Sequence, residues 1–201
     1  MANFSGYRFN IPEARLLASL HSIRHDLNGT LEYCRRLEIM EFDVVLWEAL
    51  SAAAVVRYAR CFSSGSRDQL SHKLLDSAPP TLREAHEYFI AVRSKHVAHS
   101  VNDFEENDVT VTLREDGDDL SIQGIGAHHG TVMGLDFAAP KLLSEVAVWV
   151  QKHVEQEIRR EEQRLLPIAL QYGAAKIRSF GHPGGTDSEL QHRANRVRTK
   201  P

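Results

Sequence analysis

The sequence predicts a mainly α chain of four to five helices with a small antiparallel β insertion at about residues 107–135. Three observations predict it. Apolar residues recur at spacings of three and four through most of the first hundred residues and again beyond 138, the period of a helix that buries one face. The pattern switches to strand–turn–strand from Asn107, with acidic and glycine residues at the turn. Proline and glycine clusters at Ser63–Ser66, Pro79-Pro80 and Gly181–Gly185 punctuate the chain between these stretches.

The first helix is expected from about Asn10 to Glu38. Asn10 serves as cap, Pro12 suits the first turn, and Leu16, Leu20, Ile23, Leu27, Leu31, Cys34 and Leu37 form the stripe. Gly29 inside it is a mild weakness. The second spans about Phe42 to Phe62, with Val45, Leu46, Ala49, Ala52, Ala53, Val56 and Ala59 as its stripe. Its Ala52-Ala53-Ala54 run suits the close approach of another helix. A short helix is expected over Asp68–Asp76. Thr81-Leu-Arg-Glu84 then reads as a capping box opening a helix that runs to about Ser100. Its stripe is Leu82, Ala85, Phe89, Val92, His96 and His99. Strands follow at Val109–Leu113 and Leu120–Gln123, a third short strand at Thr131–Gly134, and a turn with exposed imidazoles at His128-His129. The last long helix starts near Ala138 on Leu142, Leu143, Val146, Val150, Val154 and Ile158, with Pro167 expected to kink or end it.

Two hundred and one residues suit one domain, expected over 1–172. Residues 173–201 read as a basic, disordered tail: Lys176, Arg178, Arg193, Arg196, Arg198 and Lys200 against Asp187 and Glu189 give a net +4. The total of −3 leaves −7 for the rest, which argues against nucleic-acid binding through bulk charge while leaving room for a local basic patch. Cys34 and Cys61 both sit in apolar stretches, as buried thiols of a reduced compartment do. No apolar run approaches a membrane span, and the first residues lack the pattern of a secretion signal. A soluble, cytoplasmic protein with no membrane contact is expected.

The stretch that carries chemistry is Val92-Arg-Ser-Lys-His-Val-Ala-His-Ser100, with an arginine, a lysine, two histidines and a serine at one helix terminus. Arg93, five intervening residues and His99, with polar Ser94 after the arginine and small Ala98 before the histidine, resemble the Arg-x(4–6)-His signature of the HEPN superfamily. Leu46-Trp47 and Val56–Phe62 upstream look like its prokaryotic abortive-infection branch. The resemblance covers roughly residues 10–172 in helix order, and the central motif is its specific part. It implies an up-and-down helical bundle that dimerises and, in active members, cleaves RNA without a metal or cofactor. A toxin or antiphage role with a neutralising antitoxin partner goes with it.

Chemistry fits those residue types. Histidine titrates near neutrality, so His99 can exchange a proton during attack by the 2′-hydroxyl. The guanidinium of Arg93 suits a phosphate whose oxygens gain charge. In one regular helix, however, Arg93 and His99 stand roughly 120° and 9 Å apart. Either the helix unwinds near Ala98 or two protomers pool their motifs across a two-fold axis. The dimer is the favoured solution, with His96 assisting, and with Ser94, Lys95, Arg57 and Arg60 as candidate contacts to the RNA backbone. For Arg57 and Arg60 the competing expectation is a salt-bridged helix end, paired with Glu48 or Asp43.

Rival chemistries have less to stand on. His96/His99 and His21/His25 are helical pairs, but zinc needs a third and fourth ligand, which His21 with Asp26 or His86 would supply only if the helices pack suitably. Gly124-Ile-Gly126 is too short for a dinucleotide fingerprint, and no nucleophile elbow or Cys-x-x-Cys occurs. The alternative from another class is a non-catalytic HEPN-like module binding RNA, a nucleotide or a protein partner.

Overall fold

A computed structural model of the chain describes residues 5–65, 67–94, 105–117, 119–131 and 134–182. The fold is mostly helical: a helical bundle with a two-stranded antiparallel sheet inserted in it. Helix α1 spans Arg15–Ile39, α2 Val44–Arg60, α3 Pro80–Val92, α4 Ala139–Tyr172 and α5 Ala174–Arg178, with 3-10 turns at Pro12–Ala14 and His72–Ser77. Strands β1, Glu105–Asp116, and β2, Asp119–Thr131, form one hairpin. The chain divides into two compact units. One is Ser19–Glu157; the other joins Met1–Ala18 with Ile158–Pro201.

Helix ends follow backbone geometry more than the expected side-chain caps. Ile11, not Asn10, precedes the first 3-10 turn, and no side chain caps it. The Thr81–Glu84 capping box does not form: Pro79 is the cap residue and Pro80 begins α3, because proline's fixed φ is already helical and its missing N–H costs nothing there. At α2 the Asp43 carboxylate accepts from the Leu46 N–H at 2.9 Å, one of the four orphan donors a helix start leaves.

In the Ser19–Glu157 unit α1 buries Leu20, Ile23, Leu27, Cys34 and Leu37, as its stripe predicts, and α4 buries Leu143, Val146, Val150 and Val154. Helix α2 turns differently. Its buried face is Trp47, Ser51, Ala54, Val55, Tyr58 and Ala59, while Val45 and Leu46 are exposed. The helix is apolar nearly all round, so period alone does not choose a face. Its two large aromatics choose it, each burying a ring and satisfying its polar tip. Trp47 Nε1 donates to the Leu135 carbonyl at 2.8 Å, and Tyr58 reaches a histidine described below. Of the three alanines only Ala54 is buried, and it lies where α1 meets α2: buried Thr30 Oγ1 donates to the Asp26 carbonyl at 3.1 Å and lies 3.4 Å from the Ala54 carbonyl.

The hairpin is longer than the expected strands. Gly124, Gly126, His128 and His129 belong to β2 rather than to a loop; of the expected third strand, Thr131 belongs to β2, Gly134 is a bend, and residues 132 and 133 lie outside the described ones. Gly117, with φ +62°, takes the left-handed turn position that glycine tolerates.

In the other unit α4 passes through Pro167 and ends only at Tyr172, so the proline does not terminate it. Residues 173–182 are ordered: α5 is followed by Phe180, whose ring lies 6.4 Å from Phe9 and 6.2 Å from Tyr172. The Arg8 N–H donates to the Gly181 carbonyl at 2.8 Å, and His182 Nδ1 lies 2.8 Å from the Gly6 carbonyl. The expected tail therefore starts no earlier than 183, and residues 183–201 lie outside the described ones.

Candidate functional site

Arg93 and Ser94 stand where α3 ends. Val92 is buried, Arg93 half-buried and Ser94 exposed. The Arg93 N–H is shared between the Phe89 and Ile90 carbonyls with its backbone still helical, and a π-type turn begins at residues 93–94. Lys95, His96 and His99 lie outside the described residues.

Arg57 and Arg60 converge on a carboxylate that the expected partners, Glu48 and Asp43, do not supply. Buried Asp26 of α1 has Arg67 Nη2 at 2.7 Å, Arg60 Nε at 3.7 Å and Arg57 Nη1 at 3.9 Å. Arg67 also donates to Ser22 Oγ at 2.6 Å and to the Arg60 carbonyl at 3.1 Å. Gly29 makes room for this: a β-carbon there would come within 2.7 Å of Arg57 Cδ and 2.9 Å of its Cζ. The guanidinium then lies 5.4 Å from the Tyr33 ring centre, in range of a cation–π contact. Three cations on one carboxylate leave two positive charges in excess, with Arg60 the most exposed.

A second arrangement went unread in the sequence. Tyr58 Oη lies 2.8 Å from His86 Nδ1, and His86 Nε2 lies 2.8 Å from His72 Nδ1. His86 is buried and His72 exposed. Burial, then His72 beside it, lowers the His86 pKa to about 4, so its ring is neutral at pH 7. Burial raises the Tyr58 pKa, which keeps the hydroxyl protonated. A neutral imidazole has one donor and one acceptor, so the chain runs in one sense or the other. In one sense His72 Nδ1–H donates to His86 Nε2 and His86 Nδ1–H to Tyr58 Oη; in the other Tyr58 donates to His86 and His86 to His72. Both nitrogens of His86 are thus taken, leaving neither for a metal.

This chain opens onto a groove of about 430 Å³ whose lining includes His72, Lys73, Arg83, His86, Glu87 and Ser94, within the size of small-ligand sites. Arg83, Glu87, Ile90 and Ser94 are spaced as one face of a helix, so the groove follows α3 toward Arg93. Lys73 and Arg83 with Asp76 and Glu87 put both signs of charge in the lining, beside His72. The signal in the sequence is a histidine, His86, beside Ala85 and Phe89 on the apolar stripe, and a tyrosine amid the alanines of α2. Buried polar tips need partners, but the partners lie 14 and 28 residues away.

Other reactive groups are quiet. Burial pushes the Cys34 and Cys61 thiols up to about 11 and 12, so neither is a nucleophile at neutral pH. Among the described residues no group of three or more His, Cys, Asp or Glu is placed to hold a metal ion, and no helix is long and apolar enough to cross a membrane. Compared with models of protein families, with curated proteins and with solved structures, the chain matches none.

Proposed function

We propose that this protein is a metal-independent endoribonuclease of HEPN type, a toxin or antiphage effector of the cytoplasm that works as a homodimer and is held in check by an antitoxin. The observation that carries the reading is the π-type turn at 93–94. It lies where the regular α-helix ends, at Val92, so Arg93 and Ser94 stand at the helix terminus beside the groove, where a phosphate can be reached. Pooling of two motifs across a two-fold axis still answers the separation of roughly 120° that one regular helix would impose. The groove leading along α3 to Ser94 supports it further, as a path for the neighbouring nucleotides.

In this mechanism His99 takes the proton of the 2′-hydroxyl, whose oxygen attacks the adjacent phosphorus. The bond to the 5′-oxygen breaks, and His96 or the partner's histidine protonates that oxygen. The products are a 2′,3′-cyclic phosphate and a 5′-hydroxyl. Arg93 stabilises the charge gathered on the phosphoryl oxygens. Lys95 and Ser94 hold the backbone near the cut. Arg57 and Arg60 contribute the excess positive charge of the Asp26 cluster, which tempers but does not cancel their attraction for phosphate.

The test is incubation of wild type and His99→Ala with total RNA and a chelator. Wild type cuts, leaving cyclic phosphate ends, and the variant is slower by about 10²–10⁴-fold, the usual worth of an acid/base residue. Cutting that needs a divalent ion, or an unaffected variant, refutes the mechanism. A second reading, a non-catalytic module that binds a partner, is favoured by the exposed apolar face of the hairpin. It predicts no cutting by either sample with binding retained.

A further inference from the structure

Among the described residues, nothing covers the apolar face of the β1–β2 hairpin. Along the register Val109 pairs with Ala127, Val111 with Ile125, Leu113 with Ile122 and Glu115 with Leu120. The register shifts between Thr112 and Leu113, where Gln123 is left over as a bulge. Side chains alternate along a strand, so Ile122 and Ile125, three apart, would fall on opposite faces of a regular ladder. The extra residue brings both to the same face, together with Leu120. The other face holds Thr110, Thr112, Arg114 and Asp116 with Asp119, Ser121, Gly124 and Gly126. The hairpin is therefore amphipathic by construction, yet its six large aliphatic residues are between 47% and 77% exposed. A two-stranded ribbon alone is marginal in water and needs that face covered.

The geometry points to a second copy of this chain as the cover, packed face to face through the same ribbon about a two-fold axis. Six side chains of this size and exposure offer on the order of 300–500 Å² of apolar surface. One side of a standard interface needs about 800 Å², of which roughly 60% is apolar, so the ribbon supplies most of the apolar centre of such an interface. The partner surface must be flat, apolar and nearly uncharged over the same extent, and the ribbon itself meets that description. Two such faces stack as the sheets of a sandwich do. Set tip to base, each Glu115 falls opposite the Asn107–His129 rung rather than its own twin. Asp116 and Asp119 then point away from the seam, and their charge disfavours a nucleic acid as occupant. This inference rests on the homodimer of the nuclease reading and names its interface, yet the two fail separately: a dimer broken by the apolar-face variants upholds the interface even if wild type cuts no RNA.

Light scattering and sedimentation of the full chain test it. Wild type is a dimer, and so is the polar-face control Thr110→Asp/Thr112→Asp. Val111→Asp/Ile125→Asp weakens the dimer by on the order of 100-fold or more, at least a factor of ten per buried charge, with its helical circular dichroism kept. If that variant loses its fold, the milder Leu113→Ser/Ile122→Ser replaces it and is also expected to be monomeric. A monomeric wild type overturns the inference. So does a dimer equally tight in the apolar-face variants, or dissociation by the polar-face control as readily as by them.

Discussion

Removing the Tyr58 hydroxyl isolates one link of the buried chain. Tyr58→Phe leaves the ring in the core but strips His86 Nδ1 of its partner, and an unpaired buried polar group costs about 1–3 kcal/mol. Urea unfolding should show that loss as a lower midpoint with an unchanged slope. The chain also fixes a pH dependence. His86 takes a proton near pH 4 in the folded state but near its ordinary 6.5 once unfolded. Between those values the unfolded chain binds more protons, so the contribution of neutral His86 is complete above 6.5 and is lost as pH falls toward 4. Melting temperatures from neutral pH downward should fall more steeply for wild type than for His86→Gln, which keeps an amide but does not titrate; parallel curves would contradict this. Asp26→Ala tests the other cluster. It leaves Arg67, only 18% exposed, without its carboxylate, and a loss of about 3 kcal/mol is expected in the same unfolding assay.

At the scale of elements, Pro167 is the clearest irregularity. Helix α4 runs five residues beyond it, although proline removes a hydrogen bond and crowds the preceding turn. Pro167→Ala is expected to raise stability by about 1–3 kcal/mol, measured by the same denaturation; no gain would mean that the helix already accommodates the ring by bending. Helices α1 and α4 were legible because each concentrates its aliphatic residues on one side and its charges on the other. Helix α2 was legible in extent but not in rotation, since Val45 and Leu46 compete with Trp47 and Tyr58 and only contacts with Leu135 and His86 decide. The hairpin outran its expected strands because glycine, asparagine and acidic residues have low strand propensity, and pairing across the ladder extended them. Residues 173–182 looked like tail because their partners, Gly6–Phe9, stand at the other end of the chain.

For the whole molecule, the candidate site divides the same way. Arg93 and the histidines after it are readable as a local spacing, whereas the Tyr58–His86–His72 chain and the Arg57–Arg60–Arg67 cluster on Asp26 join residues from separate elements. No spacing rule announces such sets. The functional claim itself concerns two subunits: each motif completes the other across a two-fold axis. Mixing Arg93→Ala with His99→Ala, each nearly inactive alone, tests that most directly. After exchange, half the dimers pair one defective arginine with one defective histidine, and one of their two composite sites has both groups intact. RNA cleavage should return to roughly a quarter of wild type. A mixture that stays as inactive as its components, beside a wild type that cuts, would contradict the shared site.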